Sequence, residues 1–217
     1  MGQLQAGIIP VTAFQQNCTI LFDSESKKGV VIDPGGDVDQ IRDVIEKNAI
    51  DVTAIWLTHG HIDHAGGAMD LKEALGVEVI GPHRDDLPLL SGLEDQAAMF
   101  GLDGAVRNVT PDTWLEEGES VAFDGHSFEV YHCPGHAPGH VIYYNRAGKF
   151  AHVGDVLFRG PIGRTDLPGG DHQQFLASIR TKVFPLGDDV GFICGHGPGG
   201  RIGEERRTNP FLTGLQA

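Results

Sequence analysis

The chain has 217 residues, 40% of them apolar, and a formal net charge of −14 from 30 acidic against 16 basic side chains. That length suffices for one domain, residues 1–217, with a sizeable core. The acidic excess argues against a nucleic-acid partner, whose phosphates call for basic clusters, and no apolar run is long enough to cross a bilayer.

The N-terminal Met1-Gly2-Gln3-Leu4-Gln5 has neither a basic region nor a long apolar core, so no secretory signal is expected. Short runs rich in β-branched and aromatic residues predict strands over 19–22 and 29–32. A helix is predicted over 39–47, where Ile41, Val44 and Ile45 form an apolar stripe at helical spacing. A strand over 52–57, a helix over 67–75 and a strand over 77–80 follow. The stretch 87–103 carries mixed signals and is open to two readings, helix or loop at the edge of a site. Strands are then predicted over 120–123, 128–132, 141–144, 150–153 and 191–194. Further helices are predicted over 172–183, with Asp171 as its cap, and near 204–208. Cys18, Cys133 and Cys194 are odd in number and form no C-x-x-C pair, which fits a reduced, cytoplasmic setting.

The densest chemistry lies in Thr58-His59-Gly60-His61-Ile62-Asp63-His64. A strand end followed by a tight turn would aim His59 and His61 the same way, since side chains alternate with period two. Asp63 and His64 then fall on the turn, giving two donor sets for two adjacent ions. Imidazole and carboxylate suit zinc and other first-row metals. Three further segments repeat the pattern of a short strand followed by a Gly-rich loop with a donor: Cys133-Pro134-Gly135-His136, Gly154-Asp155 and Gly195-His196-Gly197-Pro198. Cys133, beside one of them, reads as a packing residue. The remaining His83, His126, His132 and His152 read as surface or structural residues.

Taken together, these motifs resemble the metallo-β-lactamase superfamily over nearly the whole chain. The resemblance implies an α/β (α+β) fold, a four-layer αββα sandwich with the metal site at the edge between two sheets. That fits strands and helices interspersed in both halves. It assigns His59, His61 and His136 to one metal, Asp63, His64 and His196 to a second, and Asp155 to both. Asp33, in Val31-Ile32-Asp33-Pro34-Gly35-Gly36, matches an aspartate that orients ligating imidazoles. The lactamase class that carries Cys at position 155 is a poorer match. The segments Pro10-Val11-Thr12-Ala13-Phe14-Gln15-Gln16-Asn17-Cys18, Leu157-Phe158-Arg159-Gly160-Pro161-Ile162-Gly163-Arg164-Thr165-Asp166 and Arg207-Thr208-Asn209-Pro210-Phe211-Leu212 are similar to short single-domain glyoxalase II-like thioesterases (hydroxyacylglutathione hydrolases). The resemblance to the short form implies a chain without the C-terminal helical domain of full-length glyoxalase II and the glutathione contacts that domain makes.

The resemblance implies a small-molecule substrate. A hydroxide shared by two divalent ions would attack a thioester such as S-lactoylglutathione, with Asp63 aiming it. Zinc is expected in at least one site, with iron or manganese acceptable in the other. Arg164 would pair a substrate carboxylate, with an internal salt bridge to Asp166 or Asp171 as the equal alternative. His140 would either line the site or hydrogen-bond within the fold. Three rival functions are a mononuclear-iron persulfide dioxygenase, a lactonase and a non-catalytic metal-stabilised scaffold. The sequence sets no oligomeric state.

Overall fold

A computed structural model describes residues 2–102 and 106–215. The expected strands fall into two mixed sheets. The first runs β1 (Leu4–Val11), β2 (Gln16–Asp23), β3 (Lys28–Ile32), β4 (Asp51–Trp56), β5 (Glu78–Ile80) in spatial order. Its β1–β2–β3 part is antiparallel, and β3–β4–β5 is parallel. The second sheet has the order β11-β10-β9-β8-β7-β6. Its strands are β6 (Ser120–Phe123), β7 (His126–His132), β8 (Val141–Asn145), β9 (Phe150–His152), β10 (Gly191–Ile193) and β11 (Gly200–Arg201). Only β9 and β10 pair in parallel.

Alternation along the strands builds the layers. In β3 and β4, Val30, Ile32, Ala54 and Trp56 face the other sheet, where they meet Phe123, Phe128, Val130, Val141 and Tyr143. Val31, Ile55 and Leu57 face outward, against Ile41, Ile45 and Leu71 of the helices α1 (Val38–Lys47) and α3 (Ala68–Leu75). On the far side, Ile142, Tyr144, Ala151 and Phe192 pack against Phe175 of α6 (His172–Ser178) and Ile202 of α7 (Ile202–Thr208). The result is the four-layer αββα sandwich. Because both faces of each sheet are covered, the central strands read as nearly continuous apolar runs rather than alternating ones.

Two strands escaped the sequence reading. β1 is an edge strand with one exposed face, and its Gly7 and Pro10 weaken the strand signal; proline is tolerated in sheets mainly at such edges. β11 is two residues long. The segment beginning at Leu87 is helical, as α4 (Leu87–Leu90) and α5 (Leu93–Met99); Asp103, at the end of the expected stretch, lies outside the described residues. The expected helix over 172–183 continues from α6 as one wider turn, Ile179–Val183. Asp171 caps it, its Oδ1 accepting the Gln174 N–H at 2.9 Å. Among the described residues, no helix is long and apolar enough to cross a membrane.

Candidate metal centre

Each candidate residue follows the C-terminal end of a strand. Asp33 comes directly after β3, His136 follows β7, Asp155 follows β9 and His196 follows β10. One detail of the expectation is corrected. β4 ends at Trp56, so His59 and His61 are carried by the loop beyond it, and Asp63 and His64 lie in a short helix, α2 (Ile62–Ala65). The loop still converges them: one ligand atom each from His59, His61 and His136 lies within 4.8 Å of the others, and so do those of Asp63, His64 and His196.

Asp155 stands between the two groups. Its Oδ2 is 3.6 Å from His136 Nε2 and 3.7 Å from His196 Nε2, and its Oδ1 is 3.3 Å from His64 Nε2. Asp63 Oδ2 is 3.1 Å from His196 Nε2. The close approach requires glycine at 195, where a Cβ would come 2.0 Å from Asp155 Oδ1 and 2.5 Å from the His64 ring.

Hydrogen bonds set the ring orientations. Asp33 is fully buried and accepts from Thr58 N (2.7 Å) and Thr58 Oγ1 (2.6 Å), and it pairs with His64 Nδ1 at 2.9 Å. With its proton on Asp33, the Thr58 hydroxyl accepts from His59 Nδ1 at 3.0 Å. His136 Nδ1 donates to the Arg164 carbonyl at 2.7 Å. His59 and His136 therefore present bare Nε2 atoms, and His136 Nε2 faces His61 Nδ1 at 3.0 Å.

Among the buried polar atoms without a hydrogen-bond partner are Nε2 of His59, His61 and His64, and Oδ1 of Asp155. Buried polar atoms are rarely orphaned without a reason. Burial, then the neighbouring histidines, keeps the pKa of His59 well below the ordinary value, and the same effects push His61 down to about 3. Neutral imidazoles are what a metal ion requires. Around His64 burial acts the same way, but the carboxylates of Asp155 and Asp63 outweigh it and raise its pKa. Three carboxylates, Asp33, Asp63 and Asp155, thus call for positive charge at this point. Orphaned donors, neutral imidazoles and concentrated negative charge fit divalent metal ions.

Comparison with known proteins agrees. Residues 11–196 match the family model of the metallo-β-lactamase superfamily. The chain belongs to that superfamily. It is 48% identical to the hydroxyacylglutathione hydrolase GloC of Haemophilus influenzae, over 94% of this chain and 96% of that one. Among solved structures, it is similar to the B3 metallo-β-lactamase BLEG-1 (TM-score 0.88, 35% identity, 96% of this chain and 100% of that chain). It is also similar to TTHA1623 in a di-iron-bound form (TM-score 0.85, 38% identity, 95% and 100% covered). Membership in the metallo-β-lactamase superfamily, together with the His/Asp groups, supports a metal-dependent hydrolase.

Within this metallo-β-lactamase fold, two expected substrate contacts have different fates. His140 is fully buried, stacked on His59 (4.6 Å, 19°), and its Nε2 accepts the Asp155 N–H at 3.1 Å. It stands behind Asp155 and does not line the cavity, which corrects its placement at the substrate. Arg164 does line the cavity, and its guanidinium also makes the alternative pairing, with Asp166 at 2.8 Å through both Nε and a terminal nitrogen.

Sequence reasoning missed Asp86. Its buried carboxylate accepts the Gly60 N–H at 2.7 Å and the Gly139 N–H, clamping the His59–His61 loop to the loop of His136 and His140. No donor pattern marks it in Arg84-Asp85-Asp86. Asn17 was also missed: its side-chain amide donates to the carbonyls of Cys194 (2.9 Å) and Gly197 (2.8 Å) around His196. Asp86→Asn would turn an N–H₂ toward one of two buried N–H groups. An unsatisfied buried donor costs about 1–3 kcal/mol, and a group that orients ligands from behind is worth roughly 10–100-fold in metal affinity. The expected result is a lower Tm together with weaker metal retention against a chelator; unchanged retention would reduce Asp86 to a purely structural role.

The centre opens into a cavity of about 880 Å³. Phe14, Leu89, Met99, Phe100, Phe158 and Ile162 form its apolar wall, and Arg159 and Arg164 are the cations on it. Two of these lining residues, Phe14 and Phe100, meet edge to face at 5.6 Å.

Proposed function

We propose that this chain is a binuclear metal-dependent hydrolase that cleaves thioesters of the S-lactoylglutathione type, releasing glutathione and a hydroxy acid. The observation that carries this reading is the convergence of two three-residue donor groups on one shared carboxylate, Asp155. His59, His61 and His136 would hold one ion, Asp63, His64 and His196 the other, with Asp155 between them. The 48% identity to a hydroxyacylglutathione hydrolase supports the thioester as substrate. Zinc suits this donor set, and the di-iron form of the relative TTHA1623 supports iron as another occupant.

Divalent ions in such a site supply a water whose pKa falls from ~15.7 toward ~7 and a Lewis acid for a carbonyl oxygen. The chain supplies the rest. Burial works against ionisation of Asp63, but His64 and His196 outweigh it and hold its pKa down, so it stays a carboxylate. Facing the cavity, Asp63 accepts a hydrogen bond from the attacking water and aims it at the carbonyl. The apolar wall excludes bulk water. A thiolate leaving group, of pKa near ~8.5, departs without a general acid. Neither nearby thiol supplies a nucleophile: burial pushes the thiols of Cys133 and Cys194 up, that of Cys194 to about 12.

Arg164 faces the cavity with a guanidinium able to exchange Asp166 for a substrate carboxylate, in two parallel hydrogen bonds. Since the group is exposed, Arg164→Ala should raise KM only modestly, roughly 3- to 10-fold, with little change in kcat, as solvent screens a surface charge pair. An unchanged KM would place substrate recognition elsewhere.

The reading is tested by following thiol release from S-lactoylglutathione before and after chelation and metal reconstitution. Turnover that chelator removes and metal restores is expected. Oxygen uptake on glutathione persulfide with no thioester turnover would overturn the reading in favour of the dioxygenase.

A further inference from the structure

We propose that Phe14, Met99 and Phe100 form an acyl subsite beside the metal centre, one that selects thioesters of bulky apolar acyl groups, aromatic ones foremost, over the lactoyl thioester. The inference deepens the thioester reading and rests on it. Three of the exposed large apolar side chains line the cavity that holds the donors: Phe14, 37% exposed, Phe100, 58%, and Met99, 84%. Single exposed apolar side chains are ordinary, but a cluster of them in a cavity with a polar centre marks a binding surface.

The backbone holds these side chains in place. Phe14 sits in the turn between β1 and β2. There the Thr12 N–H donates to Asp37 Oδ2 at 2.6 Å, the Phe14 N–H to Thr12 Oγ1 at 3.2 Å and the Gln15 N–H to the Thr12 carbonyl at 3.1 Å. Met99 ends α5 and Phe100 follows it, and the helix is anchored through Leu93 and Ala97, both buried in the core. The Phe14 and Phe100 rings meet with their planes at 83°. Both stay partly exposed, so a third ring can pack on them in the offset or edge-to-face manner that aromatic rings prefer. The Met99 thioether also favours an aromatic neighbour.

The cavity is chemically divided. Beside His136 lies Arg164, whose carbonyl accepts from His136 Nδ1. Beside His196 the groups are apolar: the Phe158 ring is 6.2 Å from the His196 ring, and Gln16, two residues from Phe14, pairs with His196 in an isolated bridge. Arg159 follows Phe158 but is exposed, so its guanidinium can stay in water while its methylenes cover apolar surface. A thioester at Asp155 then lies with its carboxylate-bearing thiol half toward Arg164 and its acyl half toward Phe158, Phe14 and Phe100. A lactoyl methyl would leave most of that wall in water, whereas a phenyl ring would cover it. In the reaction water adds to the carbonyl carbon, and the C–S bond breaks with its electron pair on sulfur. The acid leaves as its carboxylate, and the two protons of the water go to the thiolate and to solvent.

The test compares kcat/KM for S-mandeloylglutathione and S-lactoylglutathione, which differ only by phenyl in place of methyl. One extra methylene in an apolar pocket is worth roughly 10- to 200-fold, so a preference for the mandeloyl thioester of about tenfold or more is expected. Phe14→Ala and Phe100→Ala should each cut that ratio about threefold or more, which separates the wall from any difference in carbonyl reactivity. Phe211→Ala, at an exposed aromatic outside the cavity lining, should leave the ratio as it is. A second readout needs no turnover: by calorimetry, the thioether S-benzylglutathione should bind more tightly than S-methylglutathione, and Phe100→Ala should remove most of the difference. A smaller preference, one that neither cavity variant lowers, one that Phe211→Ala lowers as far, or equal binding of the two thioethers overturns the subsite and leaves the thioester reading standing. Cleavage of neither thioester sinks the thioester reading itself, and the subsite with it.

Discussion

Asp155→Asn is expected to abolish thioester turnover, lowering kcat by about 10³-fold or more, while leaving the fold intact. The substitution keeps the shape and the backbone N–H bond to His140 Nε2. It removes a charge that lies within 3.7 Å of ring nitrogens of His64, His136 and His196. It also replaces one carboxylate oxygen with an amide N–H₂, which cannot ligate as the carboxylate does. Loss of metal-derived charge stabilisation, worth several kcal/mol, corresponds to roughly 10³-fold at 1.36 kcal/mol per tenfold. Metal content should fall together with kcat. Turnover within tenfold of the parent at full metal content would mean that Asp155 does not join the two donor groups.

Trp56→Ala is expected to destabilise the protein by about 3–5 kcal/mol, the usual range for removing a large aromatic side chain from a core. Trp56 is fully buried between the two sheets, with ring centroids 5.1 Å from Tyr143, 5.3 Å from Phe128 and 6.0 Å from Phe123. The void would close poorly, because Tyr143 is pinned by its hydroxyl, which donates to the Leu57 carbonyl at 2.6 Å. Leu57 leads directly into Thr58 and His59, so metal affinity should decline with stability. Urea unfolding followed by circular dichroism measures the loss. A midpoint shift worth under about 1 kcal/mol would mean that the two sheets repack around the void.

The seven proposed donors stood out in the sequence because they fall in short segments that follow strands, and the resemblance to the metallo-β-lactamase superfamily grouped them into two sets. His59, His61, Asp63 and His64 were also legible because four such residues crowd one short segment. Asp33 was paired with them through the resemblance, which places an orienting aspartate at the end of this strand. Asp86 was not legible. It is one acidic residue among several, and its role arises only when Gly60 and Gly139, far apart in the chain, present their N–H groups to it. The burial of His140 likewise depends on its packing against His59 and the Asp155 backbone. In the fold, β1 was lost to its edge position and its Pro10, while α4 and α5 were obscured by Gly92 between two short apolar stretches.

The most direct test of the central claim is metal content per chain, measured by mass spectrometry on desalted protein, with S-lactoylglutathione hydrolysis assayed on the same sample. The account predicts about two tightly held divalent ions per chain and thioester turnover that scales with their occupancy. A single iron per chain, with oxygen consumed on glutathione persulfide and no thioester cleaved, would contradict it.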